Sequence, residues 1–271
     1  MNLNTFTISI LLCFLSLSGI AQSSKNLNVH FYEQPALFFK TEKASEYGGV
    51  EAEILKEFFK WCETKKKIKV TVKYFGYKSF NDFYESLKAA PANTIGAGTV
   101  TISEERKKQF DFSAPYLKNV AVFVSHGSIA TLGTDDESKL TSSKLTALVE
   151  KGSVHAEYME KLQKERFPRL QIKAVNEKLQ DLLESNPNFV AYMDIIAYRE
   201  LIKNSETYFK IHRDLNVTGE NFGFVLPKDS EWTPLINEFM ESGFGFTSTK
   251  KYQQILESYL GYEVIRTVEI Y

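Results

Sequence analysis

The chain has 271 residues and a formal net charge of −1, which lacks the basic excess of a nucleic-acid binder. With 43% hydrophobic and 25% charged residues it can build a substantial core, and composition excludes intrinsic disorder. The length admits one large domain or two small ones.

The N-terminal run from Ile8 to Ala21 is apolar and ends in Gly19 and Ala21, small residues at −3 and −1 of a cleavage after Ala21. Residues 1–21 therefore read as a signal peptide, although the segment before the apolar run carries no Lys or Arg. The run is short for a membrane span, which needs about 20 apolar residues. Leu12 is too bulky to precede a lipidated Cys13. The expectation is a periplasmic or secreted protein whose mature chain keeps only Cys62, so no internal disulfide forms. Cys62 falls in a helical pattern and reads as a small buried hydrophobe.

Leu27–Phe31 reads as a strand, followed by a loop through Pro35 to Gly49. Val50, Ile54, Phe58 and Trp61 then recur at helical spacing, with Glu51 and Glu53 in the first turn and Lys65–Lys67 at the end, as a helix dipole prefers. "IKVTVKYF" alternates as a strand, "SFNDFYESLKAA" returns to helical period, and "TIGAGTVTI" reads as a strand. This β-α-β-α-β order predicts an α/β unit with a largely parallel sheet. The pattern restarts at "VAVFVS", with a polar loop from Gly127 to Ser143. Strand "LTALVE", helix "GSVHAEYMEKLQKERF", strand "LQIKAV", helix "EKLQDLLES", strand "FVAYM" and helix "IIAYRELIKN" follow. "FGFVLPKD" reads as one further strand. Two helices, Glu231–Ser242 and Thr249–Tyr259, close the chain around the break Gly243-Phe244-Gly245.

Three strand-to-helix junctions carry residues suited to ligand chemistry. After "TIGAGTVTI", Ser103 is an N-cap residue by type and Arg106 sits in the first turn, where a cation opposes the dipole. Such a junction leaves free N–H groups at the carboxyl edge of a sheet, where α/β folds bind ligands. An arginine there suits a carboxylate, held by two parallel hydrogen bonds. The alternative is a surface arginine paired with a neighbouring acid. Thr99 and Thr101, two apart on a strand, would share a face. Ser153 and Asp194 occupy the second and third junctions and read either as ordinary helix caps or as ligand groups, Asp194 suiting an ammonium. One arginine and one aspartate on different lobes would fit the two ends of a free α-amino acid.

Catalytic signatures are missing. "GAGTVT" lacks the third glycine of a dinucleotide loop, and no P-loop, H-E-x-x-H, C-x-x-C or G-x-S-x-G occurs. His30, His126, His155 and His212 show no metal-ligand spacing, so neither a metal nor a cofactor is expected.

"TISEERKKQFDFSAPYL" resembles the signature T-x-x-R…FS-x-PY of extracellular solute-binding proteins of the amino-acid-binding type. Ser103 stands where that threonine is common, and Arg106, Phe112, Ser113, Pro115 and Tyr116 match. "GGVEAEILKEF" is similar to the family's G-F-D-x-D-L segment, with Glu51 and Glu53 replacing the aspartates. "LTALVEKGSVHAEYM", "VAYMDIIAY" and "FGFVLPKDSEWTPLINEFM…YQQILESYLG" extend the resemblance over nearly the whole chain. It implies two α/β lobes joined by hinge strands with a ligand cleft between them, lobe 1 from 22–121 plus 220–271 and lobe 2 from 122–219. It further implies that Arg106 holds a ligand carboxylate, aided by Thr101 and by the backbone N–H groups of Thr101 and Ser153. Asp194 would receive the ammonium, with Thr99 near it. The first loop, Y-x-P-F in the family, reads "YEQPALFF" here and offers Tyr32, Glu33 and Phe38 as neighbours of the ligand side chain. The implied activity is capture of a polar amino acid by a monomer, without chemistry, for an ABC-type importer or a membrane sensor. The alternatives on this scaffold are an exported dehydratase, with Glu33 as its acid, and a regulator that binds cell-wall fragments.

Overall fold

The computed structural model describes residues 23–43, 45–133 and 135–270, so the expected signal peptide lies outside the described residues. β1 (Ser23–Tyr32) leads into the hairpin β2 (Phe39–Lys40) and β3 (Tyr47–Gly48), then α1 (Val50–Trp61), β4 (Ile68–Tyr77), α2 (Phe80–Lys88), β5 (Thr94–Ala97), α3 (Glu104–Gln109) and β6 (Phe110–Phe112). The next part runs β7 (Leu117–His126), α4 (Asp136–Ser142), β8 (Thr146–Glu150), α5 (Val154–Glu165), β9 (Gln171–Val175), α6 (Leu179–Ser185), β10 (Phe189–Asp194), α7 (Ile195–Asn204), β11 (Phe209–Ile211) and β12 (Val217–Phe222). Last come β13 (Val225–Pro227), α8 (Trp232–Glu241), α9 (Lys250–Tyr259) and α10 (Gly261–Ile270).

The two larger sheets make a two-lobed α/β protein. In the first, ordered β4-β1-β5-β13-β6, β1 pairs parallel with β4 and β5, and β13 runs antiparallel to β5 and β6. In the second, ordered β11-β7-β10-β8-β9, β8 pairs parallel with β9 and β10, and β7 runs antiparallel to β10, β11 and β12. The chain leaves the first sheet into β7 and returns through β12 to β13, so β7 and β12, paired from Leu117↔Phe222 to Ala121↔Val217, carry both crossings.

Helix α1 shows why the pattern folds this way. Its apolar stripe Val50, Ile54 and Phe58 is fully buried, and Phe58 packs against Trp232 at 6.2 Å and Phe239 at 5.6 Å between ring centroids. Gly49 starts the helix at φ +109, where a Cβ would lie 2.3 Å from the Leu37 carbonyl oxygen, so only glycine fits. The lysines after the helix end as expected at the surface: Lys66 pairs with Glu238 at 2.5 Å. Cys62 is buried and free, its thiol pushed up to about 12 by burial.

Several expectations change. The strand predicted through Ile102 ends at Ala97, because Thr99 adopts φ +49 and breaks the alternation. Thr99 and Thr101 therefore do not share a strand face. "FGFVLPKD" is not one strand: β12 stops at Phe222 in the second sheet and β13 begins at Val225 in the first. The loop before α1 holds the β2–β3 hairpin. The Gly127–Ser143 loop contains α4, capped by Asp135, whose carboxylate accepts from the Ser138 N–H at 2.7 Å. A third closing helix, α10, restarts after Gly261 at φ +72 and buries Val264 and Val268 on one face, packing against β7 and α7. Gly96 and Gly98 do mark close approaches, but to core side chains: a Cβ would meet Leu87 at 2.8 Å and Phe83 at 2.6 Å.

Phe58→Ala should cost about 3–5 kcal/mol, because its aromatic neighbours around α1 and α8 cannot collapse into the space. Urea unfolding followed by tryptophan fluorescence measures it; a loss under about 1 kcal/mol would contradict this core.

Candidate functional site

The carboxyl edges of the two sheets face each other. β1 ends at Tyr32 and β5 leads into Thr99 and Thr101 on one side; β8 leads into Ser153 and β10 ends at Asp194 on the other. Two adjoining cavities, of about 30 and 110 Å³, lie between these edges and share Tyr32, Gln34, Glu150, His155 and Asp194 as walls. All six residues singled out from the sequence, Tyr32, Thr99, Thr101, Arg106, Ser153 and Asp194, line the smaller one. Glu33 stands exposed at the wall of the larger. Phe38 does not reach the cleft: it is fully buried and stacks on Phe31 at 4.3 Å, because the β2–β3 hairpin turns it into the core.

Arg106 is buried, 7% exposed. Its neighbours on α3 form surface pairs, Lys107 with Glu104 at 2.8 Å and Lys108 with Glu105 at 2.5 Å, which leaves the inward position to Arg106. Ser103 caps the helix as expected, accepting from the Arg106 N–H at 3.2 Å. The guanidinium donates to two carbonyls, Nη1 to Thr101 and Nη2 to Gly152, both at 3.2 Å, and lies over the rings of Phe80 (5.7 Å) and Tyr84 (5.2 Å). No carboxylate of the described residues pairs with it, so the surface-pair alternative fails.

Thr101 bridges Phe222 across the crossing strands. The bonds Ile102 N→Asn221 O (2.8 Å) and Gly223 N→Val100 O (3.2 Å) flank the pair. In this antiparallel pattern the N–H and carbonyl of Thr101 both point away from β12, toward Arg106. Thr99 is held at φ +49 by two contacts: its N–H donates to Glu51 Oε1 at 3.0 Å and its hydroxyl to Gln34 Oε1 at 3.1 Å.

Ser153 and Asp194 both occupy N-cap positions, yet neither side chain caps its helix. Ser153 donates from its hydroxyl (2.7 Å) and its N–H (3.1 Å) to the Glu150 carbonyl. Asp194 turns its carboxylate to the Nδ2 of Asn119 at 2.7 Å and lies 3.3 Å from His155 Nε2. The same Asn119 Nδ2 donates to Glu220 Oε2 at 2.6 Å, and Glu220 Oε1 also accepts from Tyr158 (2.9 Å) and Thr101 (3.2 Å). Across the cleft, the Tyr32 hydroxyl donates to Glu150 Oε1 at 3.2 Å.

This cluster of buried acids shifts its own titration. Burial lowers the imidazole of His155, but the hydrogen bond and charge of Asp194, with Glu220 and Glu150, outweigh it and raise the ring above its ordinary value. Burial, then the charge of Asp194, raises Glu220; burial, with a further push from Asp194, raises Glu150. His155, Asp194 and Glu220 offer donor atoms within 4.8 Å of one another. Asn119 already directs N–H groups at both carboxylates, which suits a hydrogen-bonded network better than a metal centre.

Sequence reading missed Asn119, Glu150, Glu220, His155 and Glu51. Asn119 and Glu220 interrupt β7 and β12 at inward positions, and a polar residue in a buried alternation was the available signal. Glu51 looked like a first-turn helix residue; it is instead fully buried, accepting from Thr99 N–H and the Tyr116 hydroxyl.

Two lobes with a polar cleft between the carboxyl edges of their sheets define a solute-binding architecture. The chain belongs to the bacterial extracellular solute-binding proteins, family 3, whose family pattern matches residues 27–262. Among solved structures, an ancestral arginine-binding protein bound to arginine superposes with a TM-score of 0.65 at 23% identity, covering 87% of this chain and 98% of that one. A putative L-cystine ABC transporter protein from Listeria monocytogenes gives 0.67 at 19%, covering 88% and 97%. The ancestral amino acid-binding protein AncCDT-1, a precursor of cyclohexadienyl dehydratase, gives 0.60 at 19%, covering 87% and 95%. These likenesses are of fold. No curated protein sequence matches the chain. Among the described residues no helix is long and apolar enough to cross a membrane.

Burial raises the Glu51 carboxyl to about 7 from an ordinary 4.5, so the fold binds its proton more tightly than the unfolded chain does. Its stabilising contribution is complete below pH 4.5 and is lost as pH rises to about 7, by about 3 kcal/mol. Glu51→Gln should remove that part of the pH dependence. Urea unfolding of both proteins across pH 4.5–8 checks it; identical slopes would contradict the assignment.

Proposed function

We propose that this protein is an exported receptor that captures a small zwitterionic solute, an α-amino acid, between its lobes. It would deliver the solute to an ABC-type importer or a membrane sensor. The observation that carries this reading is Arg106: a buried guanidinium beside a cavity, bonded to carbonyls and paired with no carboxylate of the described residues. A guanidinium stays charged throughout the physiological range, and burying a charge without a counter-ion is costly. A ligand carboxylate supplies that counter-ion, with the Thr101 N–H directed the same way. Asp194, freed from capping its helix, receives the ammonium with Thr99 nearby; Ser153 and Tyr32 complete the walls. In this reading lobe 1 comprises 22–121 plus 220–271 and lobe 2 comprises 122–219. The leader 1–21 directs export to the periplasm or beyond and is removed near Ala21. Because the ligand would touch both lobes only when they close, binding favours the closed state, and no catalytic step is needed.

A thermal-shift screen of the purified protein against the common amino acids tests the reading. Ligand at about 100 times its Kd adds about 2.7 kcal/mol, or about 5–10 °C for a chain of this size. Arg106→Ala should abolish the shift while its unliganded melting stays cooperative. A shift that survives in Arg106→Ala would refute the reading, as would steady turnover of a prephenate-like acid or a preference for murein fragments.

A further inference from the structure

The wall opposite Arg106 carries more acid than a neutral amino acid would engage. Glu150 and Asp194 both line the smaller cavity, and Glu220 is joined to Asp194 through Asn119. In the function proposed above, Arg106 is used by the ligand carboxylate, and Asp194, 3.3 Å from His155, by the ligand's α-ammonium.

Geometry singles out Glu150. Glu220 is surrounded by donors from Asn119, Tyr158 and Thr101, and Asp194 has Asn119 and His155. Glu150 has one side-chain donor, the Tyr32 hydroxyl, and among the described residues no lysine or arginine nitrogen within 4.0 Å. It forms a wall of both cavities, at the passage from the smaller into the larger. The larger cavity, about 110 Å³, is also lined by Asp194 and His155, and among the described residues the one lysine or arginine on its wall is Lys178. Glu200 there is paired with Arg199 at 3.4 Å, while Glu33 and Lys178 are exposed and of opposite sign.

We infer that the larger cavity receives the ligand's side chain and that this side chain is cationic, an ammonium or guanidinium accepted by Glu150. The ligand class is then the dibasic amino acids. This inference rests on the α-amino-acid reading of Arg106 and Asp194.

Isothermal titration with two matched pairs tests it: L-arginine against L-citrulline, which replaces guanidinium with a neutral ureido group, and L-lysine against L-norleucine. The cationic member of at least one pair should bind at least about tenfold more tightly, the scale of a desolvated charge pair. Glu150→Gln should bring that ratio within about twofold, whereas Glu150→Asp retains the preference. The unliganded melting of both variants reports on folding. Equal or tighter binding of the neutral member in both pairs would overturn the inference, as would a ratio unchanged in Glu150→Gln. If the neutral member binds and Arg106→Ala abolishes that binding, only the side-chain inference falls. If no member binds, the side-chain inference falls and the screen of the common amino acids decides the α-amino-acid reading; if binding survives Arg106→Ala, that reading falls as well.

Discussion

Glu51 sits with no solvent exposure in the first turn of α1, and one of its oxygens accepts both the Thr99 N–H and the Tyr116 hydroxyl. The Tyr116 carbonyl in turn accepts from the Tyr252 hydroxyl on α9. A single buried carboxylate thus joins α1, the turn at the edge of the first sheet, the residue before the first crossing strand, and a closing helix. Left-handed backbone at a threonine costs about 1–2 kcal/mol, and the hydrogen bonds from Glu51 and Gln34 hold Thr99 there. Only with that turn fixed does the chain re-enter pairing at Thr101, whose carbonyl then orients Arg106.

The cleft inherits its polarity from this arrangement. The first lobe presents one guanidinium, backed by aromatic faces that it can lie against and carbonyls that cannot neutralise it. The second lobe and the crossing strands present carboxylates, held apart by Asn119 and partly offset by His155. Buried charges of this kind interact far more strongly than charges at the surface. The surface pairs on α3 contribute little beside this. Direct bonds already span the gap, Tyr32 to Glu150 and Arg106 to the Gly152 carbonyl, so the lobes lie close enough for one small solute to touch both.

Much of the fold could be read in the chain because its signals are local. The apolar spacing of Val50, Ile54 and Phe58 gave α1, and Ser103 before "EERKK" gave a capped helix with Arg106 in its first turn. Cys62 was placed correctly as a buried hydrophobe for the same reason. The expectations that changed depended on neighbours distant in sequence. "FGFVLPKD" opens with an apolar run, yet Phe222 pairs in the second sheet and Val225–Pro227 in the first, because the chain crosses between lobes there. "TIGAGTVTI" alternates as a strand should, but a carboxylate 48 residues away captures the Thr99 amide and stops it at Ala97.

The same division runs through the site. The sequence by itself determined which junctions carry Arg106, Ser153 and Asp194, because strand-to-helix transitions and cap residues are encoded within a few positions. Only the tertiary structure decided that Ser153 and Asp194 leave their helices uncapped, that Arg106 is buried without a carboxylate, and that Asn119, His155, Glu150 and Glu220 gather beside Asp194. Those facts concern charges brought together from several strands and helices. The partner a charge finds, and hence the ligand it needs, is fixed by three-dimensional proximity and the exclusion of water, which no local pattern records.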